Sequence, residues 1–160
     1  MGTALVDMYA KSGAVGYASW VFGRMEERTM WTWSAMILGL AQHGFARESL
    51  ELFLKMKKKS SIRPNYVTFL GVLSACSHAG MVDDGFRYFH EMEYHHGSKP
   101  MILHYGAMAD IFGRAGRLTE AYDYIMKLPL PPDPILWWHS FKVQYSFYFI
   151  FFLFFSQYSV

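Results

Sequence analysis

The sequence predicts an all-α fold: a right-handed α-solenoid of four helix–turn–helix units, followed by an irregular or helical apolar tail. Three observations predict it. Glycines recur at positions 13, 44, 80 and 116, each closing an apolar run ("AKSG", "AQHG", "SHAG", "GRAG"), at spacings of 31, 36 and 36 residues. Five residues after each glycine stands a small residue (Ala18, Ser49, Gly85, Ala121). Nine after it stands an apolar one (Phe22, Phe53, Phe89, Ile125), and twelve after it another (Met25, Met56, Met92, Leu128). An aromatic column, Trp33, Phe69 and Tyr105, precedes the last three glycines in the same register. Self-similarity at a fixed period of this length marks stacked supersecondary units, because one helical hairpin cannot bury its apolar face alone.

The units read as 1–29, 30–65, 66–101 and 102–133, with the first about two residues short at its start. The second shows the logic best. "TWSAMILGLAQHG" puts Trp33, Met36, Ile37 and Leu40 at three-four spacing, a helix with one apolar face. Gly44 then stops it, since a left-handed cap needs a residue without Cβ. A second helix, Ala46–Lys58, repeats the pattern with Leu50, Phe53, Leu54 and Met56. The small column lets this helix approach the first closely, and the apolar columns fill the space between neighbouring units. Unit lengths differ after the second helix, at "KKKSSIRPN" and "YHHGSKPM", and Pro64, Pro100 and Pro132 stand near the unit ends. First helices are expected to line one surface and second helices the other.

Composition bounds the function classes. The chain has 160 residues, 52% of them hydrophobic, and a formal charge of +2. That mild basicity permits an anionic partner without demanding one. Cys76 is the only cysteine, which excludes an internal disulfide and any multi-cysteine zinc site. Flanked by Ala75 and Ser77, it reads as a packed thiol rather than a nucleophile. The opening "TALVDMYAKSG" carries Asp7 and helical periodicity, so it reads as a helix and not as a targeting peptide.

The columns resemble a known family. "LVDMYAKSG", "VTFLGVLSACSHAGMVDDG" and "HYGAMADIFGRAGRLTEAYDYI" are similar to plant pentatricopeptide repeat (PPR) proteins, in the subclass that alternates short, standard and long repeats (PLS). The resemblance runs from Met1 to Trp137. It makes the first unit a short repeat, the second a standard one, the third a long one and the fourth a short-type variant. "PDPILWW" at 132–138 resembles the opening of the family's C-terminal extension, truncated here, with 134–140 as its degenerate start. Glu26 and Thr29 depart from the proline and aspartate usual in the family. The Trp-x-x-Leu-Gly pattern of tetratricopeptide repeats, which bind proteins on a similar scaffold, is absent, and unit length varies; a protein-binding scaffold is the alternative reading.

The resemblance implies a partner, single-stranded RNA, read one base per repeat by two or three side chains. Its base-reading positions fall on Thr3 with Thr29, Ser34 with Asn65, Leu70 with Met101, and Gly106 with Asp133. Only Ser34 with Asn65 resembles a standard pairing, associated in the family with adenine. Thr3 with Thr29 is compatible with a purine. Leu70 and Met101 are apolar, and Gly106 leaves Asp133 without a polar companion. The plain reading of Ser34 is a helix-start residue, and of Asn65 a turn residue after Pro64. For phosphate contact, Lys11 and Arg114 at the ends of first helices are the best-placed cations, whereas Lys57–Lys59 suits a solvated helix end. The resemblance also implies residence in a mitochondrion or chloroplast and a role in RNA editing or processing.

No catalytic, cofactor or metal motif stands out. In "HEMEYHH", His90 is followed at i+4 by Tyr94, so no two-histidine zinc face forms, and His95 and His96 read as exposed helix-end residues. "GRAG" lacks the spacing of a phosphate loop. The His-x-Glu and Cys-x-x-Cys of a zinc deaminase are missing, so an editing reaction would need a deaminase or another RNA-processing protein in trans.

From Phe141 the repeat pattern stops. The apolar core of the tail, 145–155, is shorter than the roughly twenty residues that span a bilayer. Three readings fit residues 141–160: a marginal membrane segment, a cap on the last repeat, or non-native coding such as a retained intron. The break falls in the middle of a family motif, which favours the third.

Overall fold

The computed structural model describes residues 2–59 and 61–126. The tail, the extension motif, Leu128 and Asp133 lie outside the described residues. Eight helices occur among those described: α1 (Gly2–Lys11), α2 (Val15–Arg24), α3 (Met30–Gln42), α4 (Ala46–Lys59), α5 (Tyr66–Ala79), α6 (Val82–Tyr94), α7 (Ile102–Arg114) and α8 (Leu118–Met126). They form four antiparallel hairpins. The helix expected over 46–58 is observed as Ala46–Lys59.

All four repeating glycines adopt positive φ, from 68° to 84°. At Gly80 the cap closes twice. The Gly80 N–H donates to Ser77 O (3.2 Å), and the Met81 N–H donates to Cys76 O (2.9 Å), which satisfies carbonyls the helix leaves open. The hairpin turn is therefore set by the one residue type without a Cβ penalty.

The layers are unequal. First helices pack on one another in succession, α1 on α3 on α5 on α7. Each second helix packs on the first helix of its own hairpin and of the next. Among the described residues, second helices meet one another only through long side chains, as where Phe53 of α4 packs edge-on against Tyr88 of α6 with ring centroids 5.5 Å apart. The inner layer is tight because glycine stands at the crossings. A Cβ on Gly39 would lie 2.4 Å from Ala10 Cβ, and one on Gly71 would lie 2.9 Å from the main chain of Leu38. These two glycines set how close α3 comes to α1, and α5 to α3.

The small column acts as expected where its side chains are described. Ala18, Ser49 and Ala121 are fully buried. A Cβ on Gly85 would meet Ile111 Cδ1 at 2.6 Å. Ser49 also donates to Ile37 O at 2.8 Å, so its hydroxyl is satisfied inside the hairpin. Phe53, Met56, Phe69, Leu73, Met92 and Met108 form the centre of the larger core. A smaller core beneath the first two hairpins holds Val6, Ala10, Ala18 and Met36. Cys76 belongs to the larger core, and burial, with the nearby Asp84 carboxylate, pushes its thiol up to about 12. That is the inert thiol the sequence indicated.

Two readings of charged segments change. Lys57 is no freely solvated helix end: its ammonium pairs with the Glu91 carboxylate, joining α4 to α6 across the gap between second helices. His96 is not an exposed helix-end residue. Its ring packs on Phe69 with centroids 5.3 Å apart, and its Nε2 lies 3.4 Å from Glu91. His95 is exposed, as read from the sequence. Among the described residues no group of three His, Cys, Asp or Glu side chains is placed to hold a metal ion.

Candidate nucleic-acid interface

An open groove of about 770 Å³ runs across the first helices, lined by Thr3 and Lys11 of α1, Trp31 and Ser34 of α3, and Val67 of α5, among others. It lies on the side where the first helices are adjacent. The candidate residues converge at the junctions between units, where the N-terminus of one first helix meets the preceding first helix.

At the second junction, Asn65 is the N-cap of α5. Its Oδ1 accepts from the Thr68 N–H at 2.9 Å, and the Asn65 N–H donates to Thr68 Oγ1 at 3.2 Å. This reciprocal capping explains why an Asn follows Pro64 and why a Thr comes three residues later. Ser34 reaches the same point from α3, with its Oγ 2.9 Å from Asn65 Oδ1 and 2.7 Å from Thr68 Oγ1. It also lies 2.8 Å from Met30 O, and the residue is only 1% exposed. The Asn65 Nδ2 is buried without a hydrogen-bond partner. Leaving a buried donor unpaired costs about 1–3 kcal/mol.

The first junction has the same plan in hydroxyls. Thr29 caps α3, with the Thr32 N–H donating to its Oγ1 at 3.3 Å, and Thr3 Oγ1 lies 2.7 Å from Thr32 Oγ1. Thr3 and Thr29 are thus joined through Thr32. The third junction replaces this chemistry. The Met101 N–H donates to His104 Nδ1 (3.0 Å), and His104 Nε2–H donates to Tyr66 O (2.8 Å). Both ring nitrogens are committed, which fixes the neutral tautomer. Burial holds this imidazole below its ordinary value of 6.5, against the two backbone hydrogen bonds. Leu70 and Met101 bring no polar side chain to this junction. Gly106 is buried, and its companion Asp133 lies outside the described residues.

Sequence reasoning missed Thr32, Thr68 and His104, all fully buried. Their signal was available, since each stands twelve residues before its unit's glycine. It also passed over Trp31 and Val67, whose side chains line the groove together with Ser34. Trp31 is 51% exposed, an aromatic face open to a stacking partner.

The two phosphate candidates occupy equivalent positions on α1 and α7, and each has a carboxylate one turn back. Lys11 Nζ lies 2.7 Å from Asp7 Oδ2, and Arg114 Nε lies 2.9 Å from Asp110 Oδ2. Asp110 also accepts from Ser77 Oγ, so the Arg114 pair is tied to α5 while the Lys11 pair is solvent-exposed. An exposed i,i+4 pair contributes about 0–1 kcal/mol, so an anion displaces Asp7 from Lys11 at little cost. His78, between these groups on α5, is held below its ordinary value by burial and then by Arg114.

The PPR repeat model matches residues 3–30, 31–61, 67–96 and 103–129, which together cover most of the chain. The chain belongs to the PPR repeat family. Among relatives of this PPR chain is a chloroplastic pentatricopeptide repeat-containing protein of Arabidopsis thaliana, 52% identical over 130 residues, or 81% of this chain and 16% of the relative. A mitochondrial one from the same plant is 47% identical over 137 residues, or 86% of this chain and 21% of the relative. The chain thus spans about a fifth or less of the length of these relatives. The crystal structure of the pentatricopeptide repeat protein PPR10 from maize superposes with a TM-score of 0.64 at 19% identity, covering 88% of this chain and 21% of that one. The fold is accordingly the helical-repeat α-solenoid expected from the glycine frame.

Proposed function

We propose that the chain is a sequence-selective, single-stranded RNA-binding segment of an organellar PPR protein, non-catalytic by itself. The observation that carries this reading is the second junction. It gathers a hydroxyl, an amide with an unmet donor and a capping threonine at the edge of a groove. An exposed tryptophan there can stack on a base, and Lys11 lines the same groove toward the other end of α1, where it can meet the backbone. Repeats of this kind can read one base each. The unit divisions 1–29, 30–65, 66–101 and 102–133 are taken as short, standard, long and short-type repeats, with the opening of an extension motif after them. On that division this segment supplies site recognition in RNA editing or processing, and the chemistry is left to a deaminase or other RNA-processing enzyme. Residence in a chloroplast or mitochondrion is supported by the names of its relatives.

A panel of single-stranded oligonucleotides differing at one base tests the reading by fluorescence anisotropy. Selectivity for adenine at one position, lost in Asn65→Leu, is expected. Equal binding of all oligonucleotides, unchanged by that substitution, would refute it.

One observation favours a second, protein-binding use. Tyr17 and Trp20 on α2 are 67% and 58% exposed and line a groove on the outer layer. The equivalent positions of later hairpins carry charges: Glu48 and Glu51, Asp84 and Arg87, Glu120 and Asp123. Tyr17→Glu with Trp20→Glu should leave RNA binding intact while abolishing capture of any protein partner.

A further inference from the structure

We propose that the open face of the first hairpin is a docking seat for a further helical hairpin, and that Arg24 selects one with an acidic residue thirteen positions after its turn glycine. The proposal is independent of the RNA reading.

Equivalent positions locate the seat. Leu5 is 39% exposed, whereas its equivalents eight residues before the later glycines, Met36, Val72 and Met108, are at most 1% exposed. Met8 is 50% exposed, whereas Ala75 and Ile111 in its place are fully buried. In the later hairpins the preceding unit supplies the cover. Ile111, for example, lies against Gly85 of α6, where a Cβ would meet its Cδ1 at 2.6 Å. Tyr9 shows which part of a hairpin fills the seat. Its equivalent Phe112 is 3% exposed and packs against Phe86, from the second helix of the preceding hairpin, with centroids 5.3 Å apart. Tyr9 instead lines an open groove of about 540 Å³ with Tyr17 and Trp20. A second helix laid there would cover α1 as α6 covers α7. The seat thus continues an interface the chain already repeats three times.

Charge narrows the occupant. Lys57, thirteen residues after its glycine, pairs with Glu91, eleven residues after the next one. At the same two positions the flanking junctions carry Glu26 with Lys55 and Glu93 with Lys127, again opposite in sign. Arg24 stands eleven residues after Gly13. Its guanidinium lies 3.9 Å from the centre of the Trp20 ring, and among the described residues no carboxylate pairs with it. An incoming hairpin therefore needs an acid at thirteen. The third hairpin of this chain has one, Glu93, whereas the second has Lys57, which would face Arg24 with like charge. A second copy docking head to tail would bring its last hairpin, which has the uncharged Pro129 at that position.

The test joins a copy of residues 66–103 or of residues 30–67 directly ahead of Met1 in the full 160-residue chain, which keeps the spacing of the internal junctions. Oxidation of Met8 by hydrogen peroxide, read by mass spectrometry, reports cover on the seat. The 66–103 extension should slow it about tenfold relative to the unextended chain, and the 30–67 extension should slow it less. Glu93→Lys in the appended copy should remove about threefold of that protection, and Arg24→Glu should return it. Met8 oxidised equally fast with and without the 66–103 extension overturns the seat. Protection that is the same for both extensions and ignores both charge changes overturns selection by Arg24. Slow oxidation of Met8 in the unextended chain, quickening on dilution, would show a second copy on this face and overturn the proposed occupant.

Discussion

The second and third junctions are built on one backbone plan and filled with opposite chemistry. At the second, Asn65 caps α5, Ser34 and Thr68 steady it, and one amide group is left unspent. At the third, His104 takes the place of Thr68, reaches back to Tyr66 O and leaves nothing over. The comparison teaches that the frame of the solenoid and the offer it makes to a ligand are separable. The same position can be spent wholly on holding two units together or leave one polar group unspent.

The largest expected effect breaks the frame common to both junctions. Gly39→Ala and Gly71→Ala each drive a methyl into a neighbouring helix and should cost about 1–3 kcal/mol by urea unfolding. They should differ in rescue. Ala10→Gly removes the atom that a Gly39 Cβ would strike and should restore most of the loss. The obstacle at Gly71 is the Leu38 main chain, which no side-chain change removes.

Next in size is the acid response of the third junction. Because the folded state holds His104 below 6.5, the unfolded chain binds the proton more tightly. The stabilisation is complete above about pH 6.5 and is lost as pH falls below it. Unfolding at pH 7.5 and 5.5 should show the chain weaker in acid, with a smaller difference in His104→Gln. An unchanged difference would mean that another group, His78 foremost, carries the response.

A sharper contrast comes from Asn65→Asp. It keeps the cap, since a carboxylate accepts from Thr68 N–H and suits a helix N-terminus. Stability should change by less than about 1 kcal/mol while adenine selectivity is lost. Thr29→Asp at the first junction should be equally mild in stability without that loss. The smallest effects belong to Lys11→Ala and Arg114→Ala. Each should weaken all RNAs alike and lower the salt dependence of binding by about one ion, read from titrations at several salt concentrations.

Much of this was legible in the sequence, for a physical reason. A left-handed cap admits few residues besides glycine, so Gly13, Gly44, Gly80 and Gly116 mark their turns without ambiguity, and every helix can be counted from them. The same count brings Ser34 to Asn65 although 31 residues separate them. The direction of each polar group was not legible. Nothing in "SIRPN" or "TWSAM" says that the Asn65 oxygen turns inward to Thr68 or that Ser34 is buried. Those facts depend on how closely α5 lies on α3, which Gly71 and Leu38 set in three dimensions. His96 and Lys57 were misjudged for the same reason, because their partners Phe69 and Glu91 lie on other helices.

The unequal layers have a mechanical meaning. In a loaded beam one line keeps its length while the far side stretches, and here that line is the row of first helices. Gly39 and Gly71 hold these helices near contact, whereas second helices meet through side chains such as Phe53 and Tyr88. When the coil tightens or opens, strain collects in the outer row, where ties such as Lys57 to Glu91 can part and re-form. A change in the solenoid's curvature would on this geometry be taken up in the outer row, while Gly39 and Gly71 hold the spacing of the inner one.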